Sequence, residues 1–431
     1  MQKQHKPFIK GYKFRIYPTE EQKKLLANTF GSCRFVYNRL LADAKAEYEA
    51  YKQSLETPGV TELKKPSVSS YDLAYKLTIL KSQEGNAWLY DVSSIALQQS
   101  AMRLGDAFTN FFRNRNGYPK FKNRYSRQSF TLTKEGFRFK EGKLYIAKSK
   151  EPLEVHFTRE LPSEPIVITI SKTPSNKYFI SFLCEYTPTK TSGTKLTGID
   201  LGLSSLITLS DGTKVTNPYY YRKSERKLRR LQQTFSRKKK ESKNKRKAHI
   251  ALAKCHERIS NRRLDHLHKL TRTLVNESQV IGLENLAVKN MVKHPNLSKS
   301  ISDASWGTFL KLLSYKAAES QHCTVILVDR YFPSSHLCSV TGKHLGRKLD
   351  LKERSWHCPH CGQTHDRDVN AAVNIAKEAM MVHYSLSPEE AEGKTITGDR
   401  DWKCLNRKLT PIGQSVAACG EFLSLVVGNC N

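Results

Sequence analysis

Apolar positions change period several times along the chain, and each change marks an element. Residues 9–17, IKGYKFRIY, alternate as a half-buried strand does, and Pro18 and Thr19 end the run. From Glu20 the period lengthens. Leu25, Leu26, Phe30, Phe35, Val36, Leu40 and Leu41 recur at helical spacing, which predicts a helix with one core-facing side. A loop containing Pro58, Gly59 and Pro66 follows, then two more helical stretches, SSYDLAYKLTILKSQ and SSIALQQSAMRLGDAFTNFFRNR. From Gly117 the pattern returns to short runs: SFTLTKEGFRFKEGKLYIAK, PLEVHF, PIVITISK and KYFISFLCEY. Gly and Pro turns separate them, as expected of antiparallel strands. The first predicted domain, 1–190, is therefore a β-barrel built from residues near 9–17 and 128–187, with a helical insertion over about 20–125.

TPTKTSGTK reads as a linker. KLTGIDLG, SLITLS and KVTNP are three further strands, with Asp211-Gly212 as a hairpin turn between the last two. A long polar insertion spans 219–277, followed by the strands SQVIGLENL and CTVILVDR and by a final helix, DRDVNAAVNIAKEAM. Strand–strand–strand–helix–strand–helix–strand–helix is the order of a ribonuclease-H-type nuclease core, assigned here to 191–380 with a cysteine-bearing insertion at 334–365. The predicted class is thus α+β and multidomain. Residues 381–431 read as a loop-rich tail, disordered or ordered by RNA.

Three acids stand out against this pattern. Asp200 follows the apolar-rich run LTGI, Glu284 ends VIGLE, and Asp368 opens a helix whose Ala371, Ala372 and Ala376 permit close approach to a sheet. A carboxylate in a strand suited to burial needs a cation or a donor beside it. Oxygen ligands from three separate elements suit Mg²⁺ or Mn²⁺, and a pair of such ions roughly 4 Å apart hydrolyses phosphodiesters. Each acid taken alone reads equally as a strand end or a helix N-cap. Their order in alternating elements favours the metal centre. Asp366 competes with Asp368 for the third place, and Asp368 is nearer the Ala-rich face.

Charge adds a partner to this picture. Lys and Arg number 72 against 40 Asp and Glu, a formal charge of +32, which calls for a polyanion. Between Arg222 and Lys247 there are 14 basic residues and only two acids, Glu225 and Glu241. This run, with Arg237, Lys238, Lys239 and Lys240 at its densest, is assigned to phosphate contact, although a solvated helix face would look similar. Lys10, Lys13 and Arg15 are placed on one face of the first strand as further phosphate contacts. Tyr118, Lys120, Phe121 and Lys122 mix rings with charge, as a base-stacking surface does; the alternative puts Tyr118 and Phe121 in the barrel core. The first residues, MQKQHKPFIKGYKF, lack the apolar stretch of a signal peptide, and no run approaches the roughly 20 apolar residues of a membrane helix. The scattered cysteines read as those of a reducing intracellular compartment: the cytoplasm, beside the nucleoid, for a prokaryotic protein, with no motif that separates this from a eukaryotic nucleus.

The ten cysteines are scattered except for Cys358 and Cys361, in CPHCG. This is half a zinc knuckle, and Cys338 lies upstream in SSHLCSVTG. A four-Cys ribbon would place its remaining Cys at Thr341, and threonine is no structural zinc ligand. Three readings stay open: His344 or one of His336, His357, His360 and His365 completes a Zn²⁺ site; three Cys bind zinc weakly; or packing alone holds the insertion.

KGYKFRIYPTEEQKKLLANTFGSCRFVYNRLL, GYPKFKNR with SFTL, GIDLG, GLENL, FPSSHLC and CPHCGQTHDRDVNAAVNIA together resemble the TnpB proteins of IS200/IS605-type transposons, over about residues 8–380. That resemblance implies an RNA-guided DNA endonuclease related to the Cas12 nucleases. Its fold would be a wedge-like β-barrel with a helical recognition insertion, followed by a RuvC-type nuclease. Residues near 10–187 would hold the guide RNA and the short duplex motif flanking the target. Asp200, Glu284 and Asp368 would be the nuclease acids with bound Mg²⁺. The partners implied are a guide RNA from the transposon end, double-stranded target DNA, and a transposase of the same element. Thr341 departs from the family's usual zinc-finger Cys, and no functional residue carries over beyond about Met380. Competing functions are a guided DNA-binding repressor that no longer cuts, a guide-independent resolvase-like nuclease and a structural RNA-binding protein.

Overall fold

The computed structural model describes residues 8–57, 63–125, 127–188, 192–347, 349–350, 352–385 and 395–397. They group into two compact units, one ending at Tyr186 and one beginning at Thr187.

The first unit starts with β1 (Phe8–Ile16), then α1 (Glu20–Glu56), α2 (Ser70–Ser82) and α3 (Ser94–Phe112). After these come β2 (Gln128–Thr133), β3 (Phe137–Lys140), β4 (Lys143–Ile146), β5 (Val155–His156), β6 (Val167–Lys172) and β7 (Tyr178–Tyr186). α1 begins where the sequence says it must. Thr19 Oγ1 accepts from the Gln22 backbone N–H, and Gln22 Oε1 accepts from that of Thr19, a reciprocal capping box. The predicted apolar stripe is inside: Leu26, Phe30, Val36, Leu40 and Leu41 are buried together with Leu97, Leu104, Phe14, Ile168 and Phe182. β1 pairs antiparallel with β7 along its whole length, from Phe8 opposite Tyr186 to Ile16 opposite Tyr178. The sheet order is β2-β6-β7-β1-β5, and β3-β4 form a separate hairpin. The strands expected of the barrel thus form an antiparallel sheet edged by β2 and β5.

The second unit contains β8 (Lys195–Leu201), β9 (Ser205–Leu209), β10 (Lys214–Thr216), α4 (Tyr220–Arg237), α5 (Lys243–Glu277) and β11 (Ser278–Glu284). It continues through α6 (Val288–Met291), α7 (Ser298–Ala304), α8 (Trp306–Ser320), β12 (Thr324–Val328), β13 (Ser355–His357), β14 (Thr364–Asp366), α9 (Arg367–Tyr384) and β15 (Thr395–Thr397). Its sheet runs β10-β9-β8-β11-β12-β15. β8, β9 and β10 are antiparallel neighbours, whereas β11 is parallel to β8, β12 to β11 and β15 to β12. Parallel neighbours need crossovers, and helices supply them between β10 and β11 and between β11 and β12. Part of the predicted loop-rich tail is therefore strand: Thr-Ile-Thr is β-favouring and extends the sheet, and α9 runs to Tyr384, beyond the predicted end. The tail residues 386–394 and 398–431 lie outside the described residues.

The basic insertion is a pair of packed helices. Leu228 of α4 and Cys255 and Ile259 of α5 are buried between them, and the charged positions lie outside. Tyr219, at the start of α4, is left-handed (φ 50°) and gives no side-chain cap. Asp303 of α7 caps the helix instead, accepting from the Tyr221 and Arg222 backbone N–H groups and from Arg263.

Strand alternation assigns the two faces of the second sheet. Ile281, Leu283 and Val325 pack with Leu267, Leu274, Phe309 and Leu313 of α5 and α8. Val280, Ile326 and Val328 pack with Ile375 and Ala379 of α9. α9 comes unusually close. A Cβ at Gly198 would stand 1.9 Å from the Ala372 carbonyl oxygen, and one at Gly282 would stand 2.7 Å from Ala379 Cβ. By the same alternation Asp200 shares the face of Gly198, and Glu284 shares the face of Gly282, so both carboxylates turn toward α9.

Candidate active site

In the pairing of β8 with β11, Ile199 stands opposite Leu283. Asp200 and Glu284 follow these residues and sit level at the C-terminal ends of neighbouring parallel strands. α9 brings Asp368 to the same place from its first turn. Asp200 records the consequence. Burial, then the nearby charges of Glu284 and Asp368, push its carboxyl up to about 8 against the opposing effect of Arg367 and the Leu201 backbone N–H. Ser334 Oγ donates to Glu284 Oε1 (2.6 Å), and Arg354 Nη1 lies 3.6 Å from Asp368 Oδ1. A buried carboxylate with two others beside it needs positive charge among them to ionise, and hard oxygen donors suit a divalent cation.

Asp366 is spent differently. Its Oδ1 accepts from the backbone N–H groups of Asp368 and Val369, both at 3.1 Å, which makes it the N-cap of α9. Its Oδ2 takes the Lys214 ammonium at 2.6 Å. Partial burial opposes ionisation, but Lys214 and the two N–H groups outweigh it and hold Asp366 below the usual carboxylate range. Asp368, not Asp366, is the acid coupled to Asp200.

Cys338, Cys358, Cys361 and His365 offer ligand atoms all within 4.8 Å of one another. Cys338 Sγ is 3.6 Å from Cys361 Sγ and 3.6 Å from His365 Nε2, and Cys361 Sγ is 3.2 Å from His365 Nε2. Bond lengths of about 2.3 Å to sulfur and 2.0–2.1 Å to nitrogen give a zinc tetrahedron edges of roughly 3.5–3.8 Å. The donors fit that size and chemistry. Two turns present the sulfurs in the same way. In the first, the Gly342 N–H donates to the Cys338 carbonyl and the Cys338 N–H to that of Lys343; in the second, Gly362 donates to Cys358 and Cys358 to Gln363. Gly342 and Gly362 are left-handed, at φ 71° and 69°. Thr341 occupies the position equivalent to Cys361, so the first turn keeps its shape without its second thiol. Of the five candidate histidines, His365 joins the cluster. It is buried on β14 against Trp356, with ring centroids 4.7 Å apart. His336 and His344 stack on each other, and His360 contacts the His344 carbonyl.

The proposed nucleic-acid residues fall into three groups. Lys13 and Arg15 lie on one face of β1, both over the Phe179 ring. Lys10 is offset by an odd number of residues, so in this unbroken strand it belongs to the opposite face, with its ammonium over Tyr186; the single-face expectation is corrected by the period of two. Tyr118 and Phe121 are exposed, which excludes a barrel-core role. Tyr118 sets its edge against Phe108 and Phe111 of α3. Lys120 is exposed, whereas Lys122 lies over the Tyr37 ring and its backbone exchanges two hydrogen bonds with the Asn38 side chain. Arg237, Lys238, Lys239 and Lys240 are all exposed at the turn between α4 and α5.

Sequence reasoning missed the residues that support these clusters: Ser334 and Arg354 beside the acids, Lys214 on Asp366, and the two glycines under α9. The glycines were visible as GID and GLE, one residue before the apolar neighbour of each acid. Nothing in the sequence pairs Lys214 with a residue so far along the chain.

A family profile described as "Probable transposase", of IS605 OrfB type, matches residues 175–294; one described as "Cas12f1-like, TNB domain" matches 306–375. A third, described as "Helix-turn-helix domain", matches 8–53, where the structure has a strand and one continuous helix. A "Putative RNA-guided DNA endonuclease" of Streptomyces pristinaespiralis is 41% identical over 371 residues, covering 85% of this chain and 88% of the relative. The chain belongs to the TnpB family. Another TnpB relative, the "Putative RNA-guided DNA endonuclease InsQ" of Escherichia coli K12, is 29% identical over 385 residues, 85% of this chain and 91% of that one. A Cas12f1–sgRNA–target DNA complex aligns with 86% of this chain at 13% identity and a TM-score of 0.45. Among the described residues no helix is long and apolar enough to cross a membrane.

Proposed function

We propose that this TnpB protein is an RNA-guided DNA endonuclease whose nuclease centre is Asp200, Glu284 and Asp368. The observation that carries the reading is the convergence of these carboxylates, two at the C-terminal ends of neighbouring parallel strands and one on the first turn of α9; burial, and then the charges of the other two, push Asp200 up to about 8. The names of its relatives supply the substrate class. Three antiparallel strands followed by parallel β11 and β12, with α9 across them, support a RuvC-like ribonuclease-H reading of the domain at 191–380. The antiparallel sheet and its inserted helices support the wedge reading of 1–190.

In this mechanism the three carboxylates hold Mg²⁺ or Mn²⁺. A bound ion of this kind supplies an acidified water and neutralises charge at the scissile phosphate. Asp200 must be ionised to act as a ligand. Ser334 fixes the Glu284 carboxylate through one oxygen and leaves the other available. The N-cap at Asp366 fixes the first turn of α9, and with it Asp368. Lys10, Lys13, Arg15, Tyr118, Lys120, Lys122 and the 237–240 turn would contact guide RNA or target backbone, giving position without sequence. The Cys/His cluster would hold structural Zn²⁺. Further partners on this reading are target DNA and the transposase of the same element, in the cytoplasm.

The test is plasmid cleavage by the protein purified with its native flanking RNA. The guide-matched target stands beside randomised bases, with Mg²⁺, with chelator, and with Asp200→Ala. Loss of plasmids that depends on guide and flanking motif, absent from both controls, is the expected result. Tight guided binding without cutting would make the protein a repressor, and RNA-independent cutting of branched DNA a resolvase.

A further inference from the structure

We propose that the Cys/His module positions the nuclease centre through a buried strap made by Ser334, Asn370 and Asn374. The proposal rests on the reading of Asp200, Glu284 and Asp368 as that centre.

The segment after β12 carries Ser334 at one end and Cys338 at the other, and α9 grips it in between. Asn374 Nδ2 donates to the carbonyls of Ser334 and Leu337, both at 2.8 Å. Asn370 Nδ2 donates to Leu337 (2.7 Å), while Asn370 Oδ1 accepts from the Ser339 N–H (2.8 Å). The two asparagines are four residues apart, one above the other on the same helix face. They are only 2% and 4% exposed. Buried amides are costly to leave unpaired, and the bonds made by Asn374 Nδ2 and by both ends of the Asn370 amide all fall on one segment. Ser334 then carries that segment to the acids through its 2.6 Å bond to Glu284.

The module closes this strap into a ring. Cys338 lies on the gripped segment, and His365 lies on β14, whose last residue, Asp366, caps α9. A zinc ion held by both would join the two chain segments that flank the start of α9. The ring then runs from Cys338 through the ion to His365, along β14 into α9, and back through Asn370 to Ser339. With the ion in place, Asp368 on α9 and Glu284 under Ser334 are held from the same frame. Without it, the ring opens between Cys338 and His365. The plainer role for the asparagines, anchoring a loop, explains Asn370 and Asn374. It does not explain why the anchored segment also orients Glu284.

The test is Mn²⁺ binding to the full chain in its native RNA complex, followed by electron paramagnetic resonance, with zinc content measured on each sample. Asp200→Ala should abolish the tight Mn²⁺ signal; if it does not, the reading of the centre fails, whatever the strap does. Ser334→Ala should weaken Mn²⁺ binding about 10-fold, the size typical of losing a hydrogen-bond partner of a metal ligand. Ser334→Thr, which keeps the hydroxyl, should restore it. His365→Ala should lose zinc and weaken Mn²⁺ binding to a similar degree. The double variant Ser334→Ala/His365→Ala should be no weaker than the worse single variant, because both break one connection. Effects that multiply would show two independent contributions and overturn the strap. So would unchanged Mn²⁺ binding in a folded Ser334→Ala protein.

Discussion

Asp200, Glu284 and Asp368 are brought together by a sheet and a helix, and what they share is repulsion. Cys338, Cys358, Cys361 and His365 are brought together by two tight turns and a three-residue strand, and what they share is the spacing of a tetrahedron. Regular elements can impose an unfavourable group of charges because β8, β11 and α9 are held by their own cores on both faces of the sheet. The short turns have a smaller core, Leu345, Leu349 and Trp356 packed with Cys338 and Cys358. In the second cluster the spacing rests on left-handed glycines, backbone hydrogen bonds and His365 packed on Trp356. The acid centre should therefore keep its shape when its own Mg²⁺ or Mn²⁺ is removed and fail chemically. The thiol cluster should lose its shape without metal.

The largest expected effect falls on the acids. Asp200→Ala should lower guided cleavage on the order of 10³-fold and leave guide binding intact; loss of RNA binding in a folded variant would refute that separation. Next comes the ligand exchange. His365→Ala should release zinc, and Thr341→Cys in the same background should recapture it, because position 341 repeats the turn geometry of Cys361. Metal analysis finding full zinc in His365→Ala would remove His365 from the ligand set.

A smaller effect concerns pH. The Asp200 carboxyl is raised from 3.8 to about 8 in the metal-free fold. The folded chain therefore holds a proton here that the unfolded chain has released. The contribution of Asp200 to stability is full below pH 3.8, declines as pH rises, and is lost above about 8. Metal-free Asp200→Asn should match the parent's thermal midpoint near pH 4 and exceed it by a few degrees at pH 8; equal midpoints at pH 8 would refute the shift. Mg²⁺ should raise the parent's midpoint at pH 8 and leave that of the variant unchanged. The smallest effect belongs to the exposed turn. Replacing Lys238, Lys239 and Lys240 by Ala should flatten the salt dependence of nucleic-acid binding, by roughly 0.7–0.9 in the log–log slope for each phosphate no longer neutralised. An unchanged slope would leave this turn as a solvated face.

What is legible in the chain follows the same division. GIDL and GLEN announce acids at strand ends because apolar neighbours fix the strand, and strand alternation then fixes the direction of the carboxylate. Helix α1 announces itself through Leu26, Phe30, Val36 and Leu40 and its Thr19/Gln22 cap. The fourth member of the thiol cluster does not. Five histidines are near enough in sequence, and only the chain path through β13 and β14 selects His365. Ser334, Asn370 and Asn374 stand beside the acidic and cysteine motifs, yet small polar residues carry no chemical signature until their partners are known. The single face expected for Lys10, Lys13 and Arg15 fails on parity alone, and Thr395–Thr397 is too short for its pattern to outweigh its polar surroundings.

Gly198 has a consequence for the history of such genes. Every single-base change that alters a glycine codon adds a side chain or stops the chain. Here even a methyl group would meet the Ala372 carbonyl at 1.9 Å. Such a change would push α9 off the sheet and carry Asp368 away from Asp200, with all three acids still intact in the sequence. Among decaying genomic copies of the element, substitution at this glycine would mark a dead nuclease that an inventory of its acids would count as living.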